Sequence, residues 1–569
     1  MKKDKREIKP IPDLRTMVIS SAEAFGDKAL YIYKDKETKE ECSYSYTLLK
    51  EEVEAAGTAL EGLDLIGSHI AVISETSPKT TVIYFASVNT NGVIVPLDRE
   101  LDTDQIVKFL NRAHCRAIVY SSSFTGMLTS RAAELPELRY YIPMNGTDEV
   151  DASLPVSPVV LPWEDFLAIG KQMLQNGDTS YLDRELDPEK MCAILFTSGT
   201  TGTAKGVMLS HKNLAVATYA SDLVAKYDSN SRSVSVLPQN HTFEMVCAHL
   251  GQINLGCSLY INDSLKYTVR NFQYFKPNSL NLVPLFVETI YKKIWDSIRK
   301  KGMEDKVRKG IKYSNALLKV GIDIRRKLFA EILDAVGGEL SIIICGGAPI
   351  DPEILRGFHA FGIEIYEGYG ITECSPLVAC NPYGAPRYGS CGKPVYGVTV
   401  RIDKTPDEET GEILVKGDNV MLGYYEDEEA TKAAFTEDGF FRTGDIGYQD
   451  KDGYLYITGR KKNVIILSNG KNVFPEELEE HLAHCELIKE SVVLGRKQDS
   501  GETVITALIY PDPEQFEGKT PEEIEEAIRE AVNKVNRSLP TYKHMSDVEI
   551  RDSEFEKTTT KKIKRFLYH

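Results

Sequence analysis

The sequence predicts an α/β fold with a large N-terminal domain, built on parallel-rich sheets and a β-rich subdomain, and a small α+β C-terminal domain. Three observations carry this. Residues 68–120 alternate apolar strand-like runs with helical patterns, the rhythm of βαβ units around a parallel sheet, and the same rhythm returns over residues 341–366. After about residue 385 the pattern turns β-rich, and beyond residue 460 strands and helices alternate over a stretch long enough to fold as a unit. At 569 residues the chain is also too long for one hydrophobic core.

Each element follows from its own residues. HIAVIS, GVIVPL and RAIVYSS read as strands, separated by a helix through Tyr84 to Ala86 and by DTDQIVKFLNRAH. Val287, Ile290, Tyr291, Ile294 and Ile298 recur at helical spacing over Phe286 to Gly302, and KVRKGIKYSNALLKVGIDIRRKLFAEIL continues helically to about Leu333. Ser341 to Cys345 reads as a buried strand; Asp351 and Pro352 follow as helix cap and first helical position, and Gly362 stops that helix before IEIY. VTVRID, GEILVKG and GYLYITG form the β-rich part, broken by Gly and Asp turns. The tail holds VIIL, a helix opened by Pro475, SVVLGR, TVITALIY, and a helix with a capping box at Thr520 and Glu523.

Charge and composition narrow the function. The formal net charge of −16 argues against general binding to a nucleic-acid backbone, so any bound anion needs a local site. MKKDKREIKPIPDLRTM is charged throughout and lacks an apolar targeting core, and no stretch reaches the about eighteen apolar residues of a membrane span. The expected location is cytoplasmic. Ten cysteines without a CxxC pair indicate neither a zinc site nor a disulfide framework, and read mostly as small buried hydrophobes.

The most unusual stretch is TSGTTGTAKG at 197–206, directly behind the apolar run MCAILF. Glycine-freed backbone N–H groups, hydroxyls and a lysine are the donors a polyphosphate requires. A Walker A loop needs GxxxxGK followed by Ser or Thr, whereas here Gly199 and Gly202 precede Lys205 and Gly206, so that reading fails on spacing. Taken alone, the loop fits a solvated Ser/Thr/Gly turn equally well.

Other segments break the tie. TSGTTGTAKGVMLSHKNL resembles the nucleotide signature of the adenylate-forming (AMP-binding) superfamily. In that family's order follow GGAPI at 346–350, YEGYGITECSP at 366–376, FFRTGDIG at 440–447, GRKKNVIILSNGKNVFPEELE from Gly459, and FEKTTTKKIKR at 555–565. The resemblance spans the chain from about residue 45. It implies an N-terminal adenylation domain at 1–460 and a mobile C-terminal lid domain at 461–569.

The resemblance also implies roles. Thr197, Ser198, Gly199, Thr200, Thr201, Gly202 and Lys205 would hold the ATP phosphates on a loop that later releases pyrophosphate. Gly346, Gly347, Ala348 and Pro349 would form the adenine turn, continued by Glu367, Gly368, Tyr369 and Gly370. Thr372 would bond the α-phosphate and Glu373 would ligate Mg2+, which prefers hard oxygen donors. Asp445 and Arg460 would meet the ribose, Lys462 would occupy a hinge, and Gly470 would lie on a segment lining the thiol's entry. Lys562 would be the catalytic lysine, neutralising charge as a carboxylate attacks the α-phosphorus. The chain departs from the family pattern at Ala204, at Glu556 and at Lys561.

The implied reaction joins a carboxylic acid to a thiol through an acyl-adenylate, with ATP, Mg2+ and coenzyme A. The helical insertion, SNGKNVFPEELE and GGELSIIICGGAPI resemble bacterial long-chain fatty acyl-CoA synthetases. A long chain suits an apolar tunnel, for which His241, Phe243, Val246, Val283 and Leu285 are candidate walls, with Tyr369 beside them. An acyl carrier protein as thiol acceptor, an aromatic or medium-chain acid, and a catalytically silent nucleotide-binding regulator are the alternatives. A peripheral membrane contact is a further expected partner; oligomeric state is left open.

Overall fold

The computed structural model describes residues 8–35, 38–146, 159–197, 204–406, 408–467, 471–498, 502–557 and 563–568. These form two compact units. The first takes the described residues of Met1–Gly199, Thr203–Thr399 and Lys416–Ala433, and the second those of Val400–Val415 and Ala434–His569.

The expected βαβ rhythm forms the centre of an eight-stranded sheet in the first unit. His69–Ile73 lies between Val93–Pro96 and Cys115–Tyr120, all parallel, and Tyr140–Pro143 and Val159–Val160 extend the sheet in the same sense. The connecting helices are Pro78–Asn89, with proline in its first turn, and Thr103–Arg112, opened by a capping box between Asp102 and Gln105. Met191–Thr197 joins parallel to Val93–Pro96, and Lys205–Ser210 returns antiparallel against it with Lys205 opposite Thr197. Lys205 therefore starts a strand, although the sequence reading had it as part of the loop.

A second sheet carries Ser279–Leu282, Ile342–Gly346 and Glu364–Gly370 in parallel, with Leu377–Cys380 antiparallel at the last. Asp351 caps the helix Pro352–Phe361, and Gly362 ends it at φ 85°, a left-handed conformation that glycine adopts without strain. Phe272, Leu280, Ile343, Phe358 and Phe361 pack the core beneath. A third sheet joins Arg232–Ser235, Ser258–Ile261 and Ala29–Lys34 in parallel with Glu41–Ser45 antiparallel, a pairing between distant segments that no local pattern announces.

The helical insertion differs from expectation. It is four helices, Pro284–Lys300, Glu304–Leu318, Arg325–Leu328 and Ala330–Asp334, interrupted at Gly302 and Gly321, whose φ values of 64° and 83° cannot continue a right-handed helix. Val287, Ile290, Ile294 and Ile298 are buried as their spacing requires. Phe243–Leu250 is a π-helix, which periodicity did not reveal. Seven of the ten cysteines are buried, as small hydrophobes are.

In the second unit, a four-stranded sheet of Val398–Asp403, Gly411–Gly417, Phe441–Gln449 and Leu455–Arg460 precedes an α+β tail. The tail holds the helix Pro475–Ala483, the strands Ile488–Lys497, Thr503–Pro511 and Asp547–Ile550, and the helix Pro521–Asn536 with the expected capping box. Its own core includes Val473, Leu478, Val493, Ile509 and Ile528.

Candidate active site

In the first unit the glycine turn and the apolar candidates meet. Gly346 closes its strand and Gly347 turns at φ 95°. A Cβ on Gly346 would stand 3.2 Å from the Gly368 carbonyl oxygen and 3.7 Å from Phe243 Cζ; one on Gly347 would stand 3.5 Å from Val283 Cγ1. Phe243 and Val283 thus flank the turn, and Gly347, Ala348 and Pro349 are exposed beyond it. Glu367 accepts from the Gly389 N–H at 3.2 Å, and Tyr369 is buried. Gly370 is held to glycine by close approach, since a Cβ would lie 2.3 Å from the Pro376 carbonyl oxygen.

Beyond Gly370, Thr372 and Glu373 stand on the short 3-10 turn Thr372–Cys374. Residues 416–424 brace it: the Met421 N–H donates to the Glu373 carbonyl at 2.8 Å, and the Asn419 amide donates to the carbonyls of Cys374 at 3.1 Å and Leu377 at 2.8 Å. The strand Gly423–Tyr424 pairs with Val207 and Met208, next to the strand that Lys205 opens. Tyr424 Oη donates to Glu373 Oε1 at 3.1 Å, and Lys205 Nζ lies 4.5 Å from the centroid of the same ring. Burial, reinforced by the Glu373 charge, raises the Tyr424 phenol, so it remains a donor. Thr197 Oγ1 donates to the Lys205 carbonyl at 3.4 Å. Lys205, Glu373 and Thr372 are candidates from sequence; Tyr424, which contacts the first two, is not among the sequence candidates. MLGYY has no spacing that marks it.

Of the remaining acid-pocket candidates, His241 places Nε2 3.8 Å from Asp98 Oδ2. Val246 is fully buried on the π-helix, whereas Leu285, in the first turn of Pro284–Lys300, is 45 % exposed.

The second unit assembles a separate cluster. Asp445 and Arg460 are cross-strand partners, and Arg460 Nε approaches Asp445 Oδ1 to 2.8 Å with the carboxylate almost wholly buried. The Asp445 N–H donates to Thr443 Oγ1 at 3.0 Å. Buried Glu412 accepts from Lys461 at 2.9 Å and from Arg442 at 3.2 Å. Half-burial, with the charges of Arg460 and Arg565 adding to it, lowers the Lys462 amine to about 8. Near the C-terminus Lys557 and Ile563 form an antiparallel bridge, and the family-atypical Glu556 faces Lys564 at 3.7 Å. Ser198, Gly199, Thr200, Thr201, Gly202, Gly470, Lys561 and Lys562 lie outside the described residues.

This architecture, with its glycine turn, carboxylate turn and strand-borne lysine, is that of a two-unit α/β protein whose second unit carries an α+β tail. The chain belongs to the AMP-binding enzyme family, whose model matches residues 19–425; the family's C-terminal domain model matches residues 462–567. It is 29 % identical over 457 residues to long chain acyl-CoA synthetase 7, peroxisomal, of Arabidopsis thaliana, covering 77 % of this chain but only 64 % of that relative's length. It is 26 % identical to the chloroplastic long-chain-fatty-acid–[acyl-carrier-protein] ligase AEE15 of the same plant, covering 92 % of this chain and 79 % of that one. Among solved structures, the anthranilate CoA ligase AuaEII in complex with anthranoyl-AMP matches at a TM-score of 0.77 and 19 % identity, covering 100 % of this chain and 98 % of that one, a likeness of fold.

Proposed function

We propose that this chain is an AMP-forming acid–thiol ligase that activates a long-chain fatty acid as its adenylate and passes the acyl group to coenzyme A, releasing AMP and pyrophosphate. The observation that carries the reading is the convergence, in one unit, of Lys205, Tyr424 and the Thr372–Glu373 turn with a glycine turn flanked by Phe243 and Val283. The polar groups lie just beyond the end of the strand Glu364–Gly370 and the apolar side chains at the end of its neighbour Ile342–Gly346, the combination an enzyme joining ATP to a fatty acid requires.

In this reading the 197–205 loop grips the outer phosphates and then lets pyrophosphate go. Glu373 fits Mg2+ by its chemistry, a carboxylate being a hard oxygen donor, and the Thr372 hydroxyl bonds the α-phosphate. The ion, when bound, screens the phosphate charge. Tyr424 orients the Glu373 carboxylate from one side. Asp445 accepts from the ribose hydroxyls, with Arg460 fixing its orientation. Lys562 offsets the charge that develops as the acid's oxygen attacks the α-phosphorus, a kind of contribution worth about 3 to 4 kcal/mol. No covalent enzyme nucleophile is needed; positioning and charge carry the step. The 461–569 domain then rotates about Lys462 to exchange Lys562 for the 464–474 segment at the thiol's entry.

A carrier-protein thiol is the second reading, favoured by the relative that covers 92 % of the chain. The test is exchange of labelled pyrophosphate into ATP across an acid panel, followed by CoA and holo-carrier protein as competing acceptors. We expect exchange to peak with long-chain acids and CoA to be the better acceptor. No exchange with any acid would leave only the silent-regulator alternative.

Among the described residues no helix is long and apolar enough to cross a membrane. For the peripheral contact we propose the outward stripe of Glu304–Leu318 and the turn after it. Tyr313, Val320 and Ile322 are 61 %, 72 % and 51 % exposed, and residues 304–328 carry eight Lys or Arg, of which only Arg325 is buried, against Glu304, Asp305 and Asp323 in a chain of net charge −16. Such a basic, apolar-tipped surface suits anionic headgroups. Co-sedimentation should be stronger with phosphatidylglycerol vesicles than with phosphatidylcholine vesicles, and Lys312→Glu/Lys319→Glu/Val320→Asp should abolish the difference.

A further inference from the structure

Behind the acid-pocket candidates lies a buried polar cluster that the proposed chemistry does not use. Glu244 and His249 are both on the π-helix and are 1 % and 0 % exposed. Glu244 Oε1 accepts from Ser235 Oγ and lies 3.7 Å from His249 Nε2, which is itself 3.3 Å from Ser235 Oγ. On the other side of the imidazole, His249 Nδ1 is 2.9 Å from Tyr31 Oη and 3.4 Å from Gln239 Nε2. Thr81 Oγ1 completes the cluster, 2.9 Å from Tyr31 Oη and accepting from Gln239 at 2.7 Å.

The spacing of the pair matters. Glu244 and His249 are five residues apart. In an α-helix, at 100° per residue, such residues point about 140° away from each other. In a π-helix the hydrogen bonds run from i to i+5 and the wider turn brings residue i+5 back to within about 50° of residue i, on the same face. The Glu244–His249 contact is therefore available in the π register and broken in the α register. Separating two buried polar groups that face each other is costly, so the pair weights the balance toward the less common helix. That helix begins at Phe243, whose ring abuts Gly346, and it contains Val246. His241 stands in the turn that leads into it, with its carbonyl accepting from Met245 at 2.9 Å.

We infer that Glu244 and His249 are positioning residues: their buried contact holds residues 243–250 in the π register and thereby sets where Phe243 and Val246 stand against the acid. This rests on the reading of those two as pocket walls. A return to the α register would rotate every later side chain of the segment and reshape the pocket without touching the phosphate-binding residues.

The experiment uses the full-length protein with Glu244→Gln, which keeps the volume and a donor or acceptor for Ser235 but removes the charge, and with Glu244→Leu/His249→Leu, which replaces the pair by apolar side chains. Two measurements are made on each: hydrogen–deuterium exchange over residues 243–250, and KM for acids of graded chain length against KM for ATP. We expect faster exchange in that segment, an about tenfold rise in KM for the preferred acid with a shifted chain-length optimum, and an ATP KM within about twofold of wild type. Unchanged exchange in folded variants overturns the register lock. Faster exchange with an unaltered acid profile overturns the positioning role and leaves the pair purely structural. If Glu244→Gln fails to fold, the double-leucine variant is judged by the same outcomes. Should wild type activate no acid at all, the ligase reading fails while the exchange measurement still decides the register.

Discussion

Single side chains divide into those whose chemistry is local and those whose meaning depends on a neighbour. Lys562→Ala should reduce adenylate formation by about a hundredfold or more while sparing thioester formation from supplied acyl-adenylate, because the role proposed for it needs its charge only at the α-phosphorus. Equal loss in both half-reactions contradicts that role. Tyr424→Phe keeps the ring beneath Lys205 but removes the donor to Glu373. A hydrogen bond to a charged group is worth about 1.5–3 kcal/mol, so KM for MgATP should rise about tenfold or more, with KM for the acid unchanged. Lys462 offers a test by titration. Its amine loses its proton near 8 instead of the ordinary 10.5, because burial and two guanidinium groups disfavour the charged form. The folded chain therefore binds fewer protons here than the unfolded chain between those values, and the destabilising effect of this charge, full below about 8, is relieved progressively as pH rises from about 8 to 10.5. Competitive labelling with acetic anhydride over a pH series should give Lys462 a midpoint near 8; a midpoint of 10.5 would refute the burial argument.

Elements show where sequence reading works and where it stops. The strands HIAVIS, GVIVPL and RAIVYSS, the caps Asp351 and Thr520, and the stop at Gly362 are all local signals, and all of them form as read. The insertion helices were legible in their apolar spacing, but not in their breaks, since a glycine inside a helical pattern is often tolerated. The π-helix was illegible because periodicity does not mark a five-residue spacing, and because the groups that meet its Glu244 and His249, Ser235 and Tyr31, lie on other elements. Close packing between elements yields a contrast of mutants. A Cβ on Gly170 would fall 1.8 Å from the Ala55 carbonyl oxygen where the helices Trp163–Gln175 and Tyr46–Gly62 touch. Gly170→Ala should cost about 1–3 kcal/mol or more in a thermal melt and leave KM values unchanged. Gly370→Ala makes a comparable collision with Pro376 but adjoins Thr372 and Glu373, so it should lower kcat as well as stability.

At the scale of the molecule, separate cores such as the one around Phe358 in the first unit and the one around Leu478 in the second predict unfolding that is not a single two-state transition. Calorimetry should give a measured enthalpy larger than the van't Hoff value; equal values would mean one cooperative unit. By itself the sequence determined the α/β class, the existence of an α+β tail and the ordered nucleotide motifs, because periodicity, caps and loop composition are properties of residues close in the chain. Only the tertiary structure decided that Tyr424 stands between Lys205 and Glu373, that Phe243 and Val283 flank the glycine turn, and that Glu244 meets His249. Those contacts join strands and helices far apart in sequence, or, for Glu244 and His249, span five residues that the π register brings together, and neither leaves a repeat along the chain to be read.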